Sequence, residues 1–280
     1  MNTICRLAAF PLSLLATGVN AATKSAWFPT EHIYPAYLAD PYEPRFQLQL
    51  QSYVESGIPD TGSSRWDLMG GSSFILYEKK NTDNARYGWQ LVFLAGLRAQ
   101  FDNGNNQDSV AWEGIYGLQG EFRYNNAFAW RFGTKHYSSH VGDEYIERTG
   151  RTRIQYTREE WRAGIAWTVN EHYTIYSDIA YASSLRNKDL QDYGRAQIGL
   201  QYEKPGVFMS GKVGWYSALD ISAYEENSWD KNITLQLGFN MQVRDRRWRL
   251  GLEYYDGRSQ YGEFFQNKET YASIGLWMDL

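Results

Sequence analysis

Residues 270–280 (TYASIGLWMDL) set Ala272, Ile274, Leu276, Met278 and Leu280 on one side of an extended chain. Tyr271, Ser273, Gly275, Trp277 and Asp279 fall on the other. Successive strand side chains point to opposite faces, so one face is wholly apolar and the other mixed. A bare apolar strand edge in water invites pairing with another chain. The same strand is at home where it pairs back onto the first strand of a closed barrel and its apolar face meets lipid. This segment therefore points to a membrane barrel and away from an open soluble sheet.

The N-terminus reads as a secretory signal over residues 1–21. Arg6 supplies a positive charge, residues 7–19 an apolar core and Val19-Asn20-Ala21 a small-residue cleavage site. Cys5, the single cysteine, lies upstream of that core. Its removal with the signal leaves no disulfide, thiolate metal site or cysteine nucleophile. No later segment approaches the ~20 apolar residues of a spanning helix. Mean hydropathy is −0.57, yet aromatic residues make up 16% of the chain. A barrel reconciles the two, because lipid-facing and inward-facing residues alternate and the average cancels. The net charge of −4 gives a nucleic-acid role no support.

Alternating segments recur at 45–56, 64–79, 86–101, 109–124, 127–139, 153–169, 172–184, 193–204, 207–217, 231–242, 247–256 and 269–280. That predicts an all-β, transmembrane antiparallel barrel of about twelve strands spanning 45–280. Predicted turns at 124–127, 169–172 and 203–206 are short; those near 140–152, 184–192, 218–230 and 257–268 are longer. Short periplasmic turns and longer outer loops are the expected asymmetry. Pro59 falls in an outer loop and Pro205 in a turn, so no proline interrupts a strand. Outward aromatics form two predicted girdles, one with Tyr124, Phe128, Trp167, Tyr173, Tyr202 and Trp248, the other with Trp112, Trp215 and Tyr254.

The inward phase interleaves Arg98, Glu113, Glu121, Arg123, Arg131, Lys135, Arg158, Glu160, Arg162, Asp178, Arg195, Lys212, Arg249 and Glu253. In so narrow a lumen these charges are expected to pair and plug it, since aqueous porins use ~16–18 strands. Residues 22–44 carry Pro29, Pro35, Pro41 and Pro44 among aromatics and predict a periplasmic lead-in or partial plug, with His32 structural there.

Two of the four histidines lie in 136–145 (HYSSHVGDEY), at the end of the fifth predicted strand. Phe128, Trp130 and Phe132 face lipid, and Thr134, His136 and Ser138 continue that phase. A base and a nucleophile two apart on one face can lie close together. Glu159 shares the outward phase with Trp161 and Ile165 on the next strand. Pairing about His140 with Arg153 puts Glu159 one or two positions from His136, where it would orient the imidazole. Ser138, His136 and Glu159 are thus candidate nucleophile, base and orienting acid. Asp143 and Glu144 are candidate Ca²⁺ ligands. The same residues also fit contacts to lipopolysaccharide phosphates, a metal at His136 and His140, or a structural role in ordering the outer loop.

The segments 37–46 (YLADPYEPRF), 136–145 and 156–161 (YTREEW) together resemble the signature segments of an uncharacterised Gram-negative outer-membrane family, catalogued only as a domain of unknown function. That resemblance implies an outer-membrane barrel and no activity. The last strand resembles the C-terminal signal strand of outer-membrane proteins, with Leu280 where those usually end in Phe. It implies handling by the barrel-assembly machinery. His136-x-Ser138 is similar to the lipid-facing His-x-Ser pair of outer-membrane phospholipase A and the lipid A deacylases. Ser139 stands where the phospholipase motif has Asn, and only Glu159 matches a third member. This second likeness implies a lipid-ester hydrolase acting on outer-membrane lipids or lipopolysaccharide. A structural envelope barrel and a narrow channel remain alternatives.

Overall fold

The structure is a computed structural model that describes residues 22–84, 87–243 and 246–279. The predicted signal peptide and Leu280 lie outside the described residues. Thirteen strands are present among those described: β1 (Thr23–Trp27), β2 (Phe46–Ser56), β3 (Ser64–Asn81), β4 (Gly88–Asp102), β5 (Asp108–Arg123), β6 (Phe128–Val141), β7 (Thr157–Thr168), β8 (Tyr173–Leu185), β9 (Gly194–Phe208), β10 (Val213–Tyr224), β11 (Lys231–Val243), β12 (Arg246–Arg258) and β13 (Lys268–Asp279). One α-helix, α1 (Asp143–Thr149), follows β6, and single 3-10 turns lie at Glu225–Asn227 and Gly262–Phe264. Strands β2 to β13 pair in sequence, each antiparallel to the next, and β13 pairs back onto β2 with Leu276 opposite Leu48. The result is a closed twelve-stranded barrel with no free edge, as the alternation predicts. β1 adds to the terminal-end half of β3, Thr23 opposite Asn81. Among the described residues no helix is long and apolar enough to cross a membrane.

The burial pattern is that of a protein turned outward. Phe74, Leu97, Phe132, Ile165, Ile179, Leu237 and Leu252 are half or more exposed on the outer wall. Arg65, Arg98, Arg131, Arg158, Arg162 and Arg249 are fully buried inside. Ion pairs match most lumen arginines: Arg98 with Asp67 at 2.8 Å, Arg131 with Asp178 at 3.0 Å, Arg195 with Glu160 at 2.7 Å and Arg249 with Asp279 at 3.1 Å, while Arg162 donates to Gln119. A buried charge is tolerated only when paired and hydrogen-bonded, so the lumen fills with interlocking pairs.

Residues 28–45 fold into this lumen at the terminal end, where β2 begins and β13 ends. Tyr37 stacks on Tyr176 at 3.5 Å, and its hydroxyl donates to Asp178 at 2.5 Å. Arg45 gathers the loop around itself, donating to the carbonyls of Leu38, Tyr37, Asp40 and Glu43 at 2.5–3.1 Å. Lys135 donates to the Tyr42 carbonyl at 2.8 Å.

Several predicted boundaries shift. The turn assigned to 203–206 lies at 209–212, where Met209, Ser210 and Gly211 all take positive φ. Pro205 therefore sits inside β9, contrary to expectation. It falls in a bulge, where the register passes from Val213 opposite Phe208 to Trp215 opposite Lys204, and a bulge tolerates the missing ladder donor. Gly214 faces that bulge, where any Cβ would meet the Lys204 carbonyl at 2.3 Å. With β10 starting at Val213, Trp215 packs against Tyr202 at the terminal end and not in the far girdle. Lys212 lies exposed in the turn and not in the lumen. β7 begins at Thr157 and not at 153, because α1 and the irregular 151–156 segment occupy the far-end loop.

Candidate functional site

The outward column of β6 runs Phe128, Trp130, Phe132, Thr134, His136, Ser138, His140 and reaches the far rim of the barrel. The ladder places Tyr116 of β5 and Glu159 of β7 on either side of His136. Glu159 is thus directly opposite the histidine, closer than the predicted one or two positions. His136 Nδ1 is hydrogen-bonded to Glu159 Oε1. The imidazole also stacks on Tyr116 at 4.1 Å and 19°. Ring and carboxylate hold the histidine in one orientation, with its side chain 12% exposed and that of Glu159 43%. With Nδ1 occupied by the carboxylate, Nε2 is the ring nitrogen left to act as a base.

Ser138 does not complete the predicted triad. Its hydroxyl is hydrogen-bonded to His140 Nε2 at 3.1 Å. No hydrogen bond joins it to His136 among the described residues. Two pairs therefore lie end to end on one strand face, Glu159 with His136 and Ser138 with His140. Gly114 is opposite Ser138 on β5, and the position a Cβ would take has nothing closer than 3.7 Å. The glycine leaves lateral space beside the hydroxyl. Sequence reasoning missed His140 as a partner of Ser138, although the same period of two that joined His136 to Ser138 places His140 on that face. Tyr116 and Gly114 depend on register and had no sequence signal.

Asp143 and Glu144 open α1 and are exposed. Asp143 accepts from Arg153 at 2.7 Å. No group of three acidic or histidine side chains that could hold a metal occurs among the described residues. The rest of the 136–145 segment builds a cap over the far end. Gly142 docks on β5, its N–H donating to the Val110 carbonyl at 2.9 Å. A Cβ there would lie 1.8 Å from the Ser109 oxygen. Tyr145 is buried under the loops and donates to the Pro59 carbonyl at 2.8 Å. Ser139, inward beside Ser138, accepts from the Glu263 N–H at 3.0 Å. The Glu263 carboxylate in turn accepts from the backbone N–H groups of Ile154 and Tyr156 at 2.8 and 3.2 Å.

Residues 12–279 match the family described as Protein of unknown function (DUF1207). The chain belongs to that family. The resemblance read from 37–46, 136–145 and 156–161 is thereby borne out, and in the DUF1207 barrel those segments build the lumen loop, the cap and the β6–β7 pairing. The barrel is similar to outer membrane phospholipase A from Escherichia coli, with a TM-score of 0.58 and 11% identity over 85% of this chain and 93% of that one. It is likewise similar to the calcium-bound outer membrane phospholipase (OMPLA) dimer of Salmonella typhi, with a TM-score of 0.60 and 11% identity over 88% and 93%. LpxR from Salmonella typhimurium aligns more loosely, at 0.42 and 9% identity over 84% and 99%. At these identities the likeness is one of fold, a barrel resembling Gram-negative outer-membrane proteins. No curated protein matches the chain.

Proposed function

We propose that the DUF1207 barrel is exported by its 1–21 signal and inserted in the outer membrane by the barrel-assembly machinery. There its rim hydrolyses lipid esters of phospholipid or lipopolysaccharide. The observation that carries this reading is the Glu159–His136 pair. A carboxylate-oriented imidazole on a lipid-facing wall, with a serine two residues on, has the chemistry of acyl transfer and no evident need in a barrel's stability. A side-chain rotation moves the Ser138 hydroxyl from His140 to Nε2 of His136. Ser138 Oγ then attacks the ester carbonyl as His136 Nε2 takes its proton, and Glu159 stabilises the imidazolium. The proton passes to the leaving alcohol. Water, deprotonated by His136, releases the fatty acid and restores the serine.

Asp143 and Glu144 are left outside the proposal: Arg153 engages Asp143, and no third acidic or histidine side chain joins them among the described residues. No step is routed through a metal. The test is fatty-acid release from phospholipid and lipopolysaccharide micelles by wild type and Ser138→Ala, each with and without Ca²⁺. Release by wild type alone supports the assignment; equal release by both removes Ser138 from the mechanism.

The second reading is a non-enzymatic envelope barrel. The Ser138–His140 bond favours it, since each of the two polar pairs is satisfied without a substrate. The absence of release from folded wild-type protein would select it. The paired, loop-filled lumen weighs against a channel.

A further inference from the structure

The outer wall near the terminal end carries two adjoining hollows away from the rim site. Across the ladder, Gly120, Phe132, Ala163 and Ile179 form one row, and Phe122, Trp130, Ile165 and Ser177 the next. Small residues alternate with large in the first row, and Ser177 ends the second beside Ile165. The Phe122 ring covers Gly120, and the low positions at Ala163 and Ser177 open into an apolar groove of about 960 Å³. Phe122 and Trp130, stacked at 3.8 Å, line both this groove and a second hollow of about 530 Å³ below it.

The second hollow changes character toward the barrel's end. Lys79, Lys80 and Arg123 stand there with Tyr87, Trp89 and Tyr124. Lys79 is exposed and in no ion pair among the described residues. Arg123 is held at the rim by the carbonyls of Ile33 and Asn126 at 2.6 and 3.2 Å. Lys24 of β1 adds a further positive charge opposite Lys80. The nearby carboxylate of Glu78 is already engaged by Lys80 at 2.8 Å, which leaves Asp83 of the adjoining turn and Glu31, beside Lys80 and Arg123, against Lys24, Lys79 and Arg123. The rim is thus net positive.

From this continuity we infer that the two hollows form a binding site for one anionic glycerophospholipid of the leaflet at the terminal end. Its acyl chain lies over Ala163 and Ser177, beside Phe122, and its phosphate at Lys79. Cationic side chains beside interfacial Trp and Tyr match a phosphate at headgroup depth, and a small-residue floor accepts a methylene chain that a flush wall would not. The inference rests on the membrane placement proposed above and not on hydrolysis at Ser138, which stands or falls separately on fatty-acid release.

Native mass spectrometry of the full detergent-extracted protein tests it, with phosphatidylglycerol and phosphatidylethanolamine of identical acyl chains as probes. The expected result is retention of a single phosphatidylglycerol, preferred by roughly tenfold, with the preference abolished in Lys79→Glu. Ala163→Phe and Ser177→Leu fill the groove from two strands and should each lower retention of both lipids, so that failure of one variant to fold leaves the other to decide. Equal retention of the two lipids, or full retention in a folded groove-filled variant, would reduce the site to ordinary annular lipid and overturn the inference.

Discussion

At the scale of single residues, the rim is a question of which histidine serves Ser138. The proposed roles make distinct demands. Glu159→Gln leaves the stack on Tyr116 but loses the charge that favours the imidazolium, and is expected to lower fatty-acid release by about 10⁴-fold, the size seen when a triad acid is neutralised elsewhere. His140→Ala only frees the hydroxyl, so release should persist. Release lost in His140→Ala and kept in His136→Ala would exchange the two roles. Gly142 makes a demand on stability alone. Any Cβ there collides with the Ser109 carbonyl, and Gly142→Ala is expected to cost about 1–3 kcal/mol in urea unfolding. That His136, Ser138 and Glu159 share a face was legible, because strand phase is local. The hydrogen-bond partners were not, since Ser138 had two histidines within reach and a sequence does not choose between them.

At the scale of elements, the strands were legible almost throughout, because lipid outside and charge inside sharpen the period of two. The errors fall where local chemistry misleads. Pro205-Gly206 reads as a turn, yet the chain carries it as a bulge and turns at Met209–Gly211. The β6–β7 register was misjudged because the cap over 142–156 is held by Glu263, more than a hundred residues away in sequence. The lead-in brings a pH dependence of its own. His32 lies outside the strands, with Nε2 against the Ser73 carbonyl at 3.1 Å and Nδ1 at 3.6 Å from Glu121. Burial opposes its charge, but Glu121 and then the Ser73 carbonyl outweigh burial and raise its pKa. A raised folded-state value means stabilisation that is complete below about 6.5, the unfolded value, and is lost as pH rises through the folded one. Amide protection factors in 28–45, corrected for the base-catalysed intrinsic rate, should therefore be higher at pH 5.5 than at pH 8.5, and His32→Asn should flatten the difference. Equal protection factors at both values would show that His32 does not hold the segment.

At the scale of the whole molecule, a barrel of this width is closed by its contents. Wild type should be silent in planar bilayers, and Arg45→Ala, which frees four carbonyls of the lumen loop, should produce conductance steps. Silence in both would mean that the ion pairs alone seal the lumen. Arg131→Leu strands a buried carboxylate at Asp178 and is expected to cost about 3–5 kcal/mol, with much of that recovered in Arg131→Leu/Asp178→Leu. A double variant as unstable as the single would locate the cost in packing. The interlocking lumen has a consequence for descent as well as for stability. A single change at 131 or 160 strands a buried partner at 178 or 195, whereas a lipid-facing leucine can drift to valine unnoticed. Among divergent members of the family, the lumen positions should have changed in company, and an outer wall free to wander should have kept little but its greasiness.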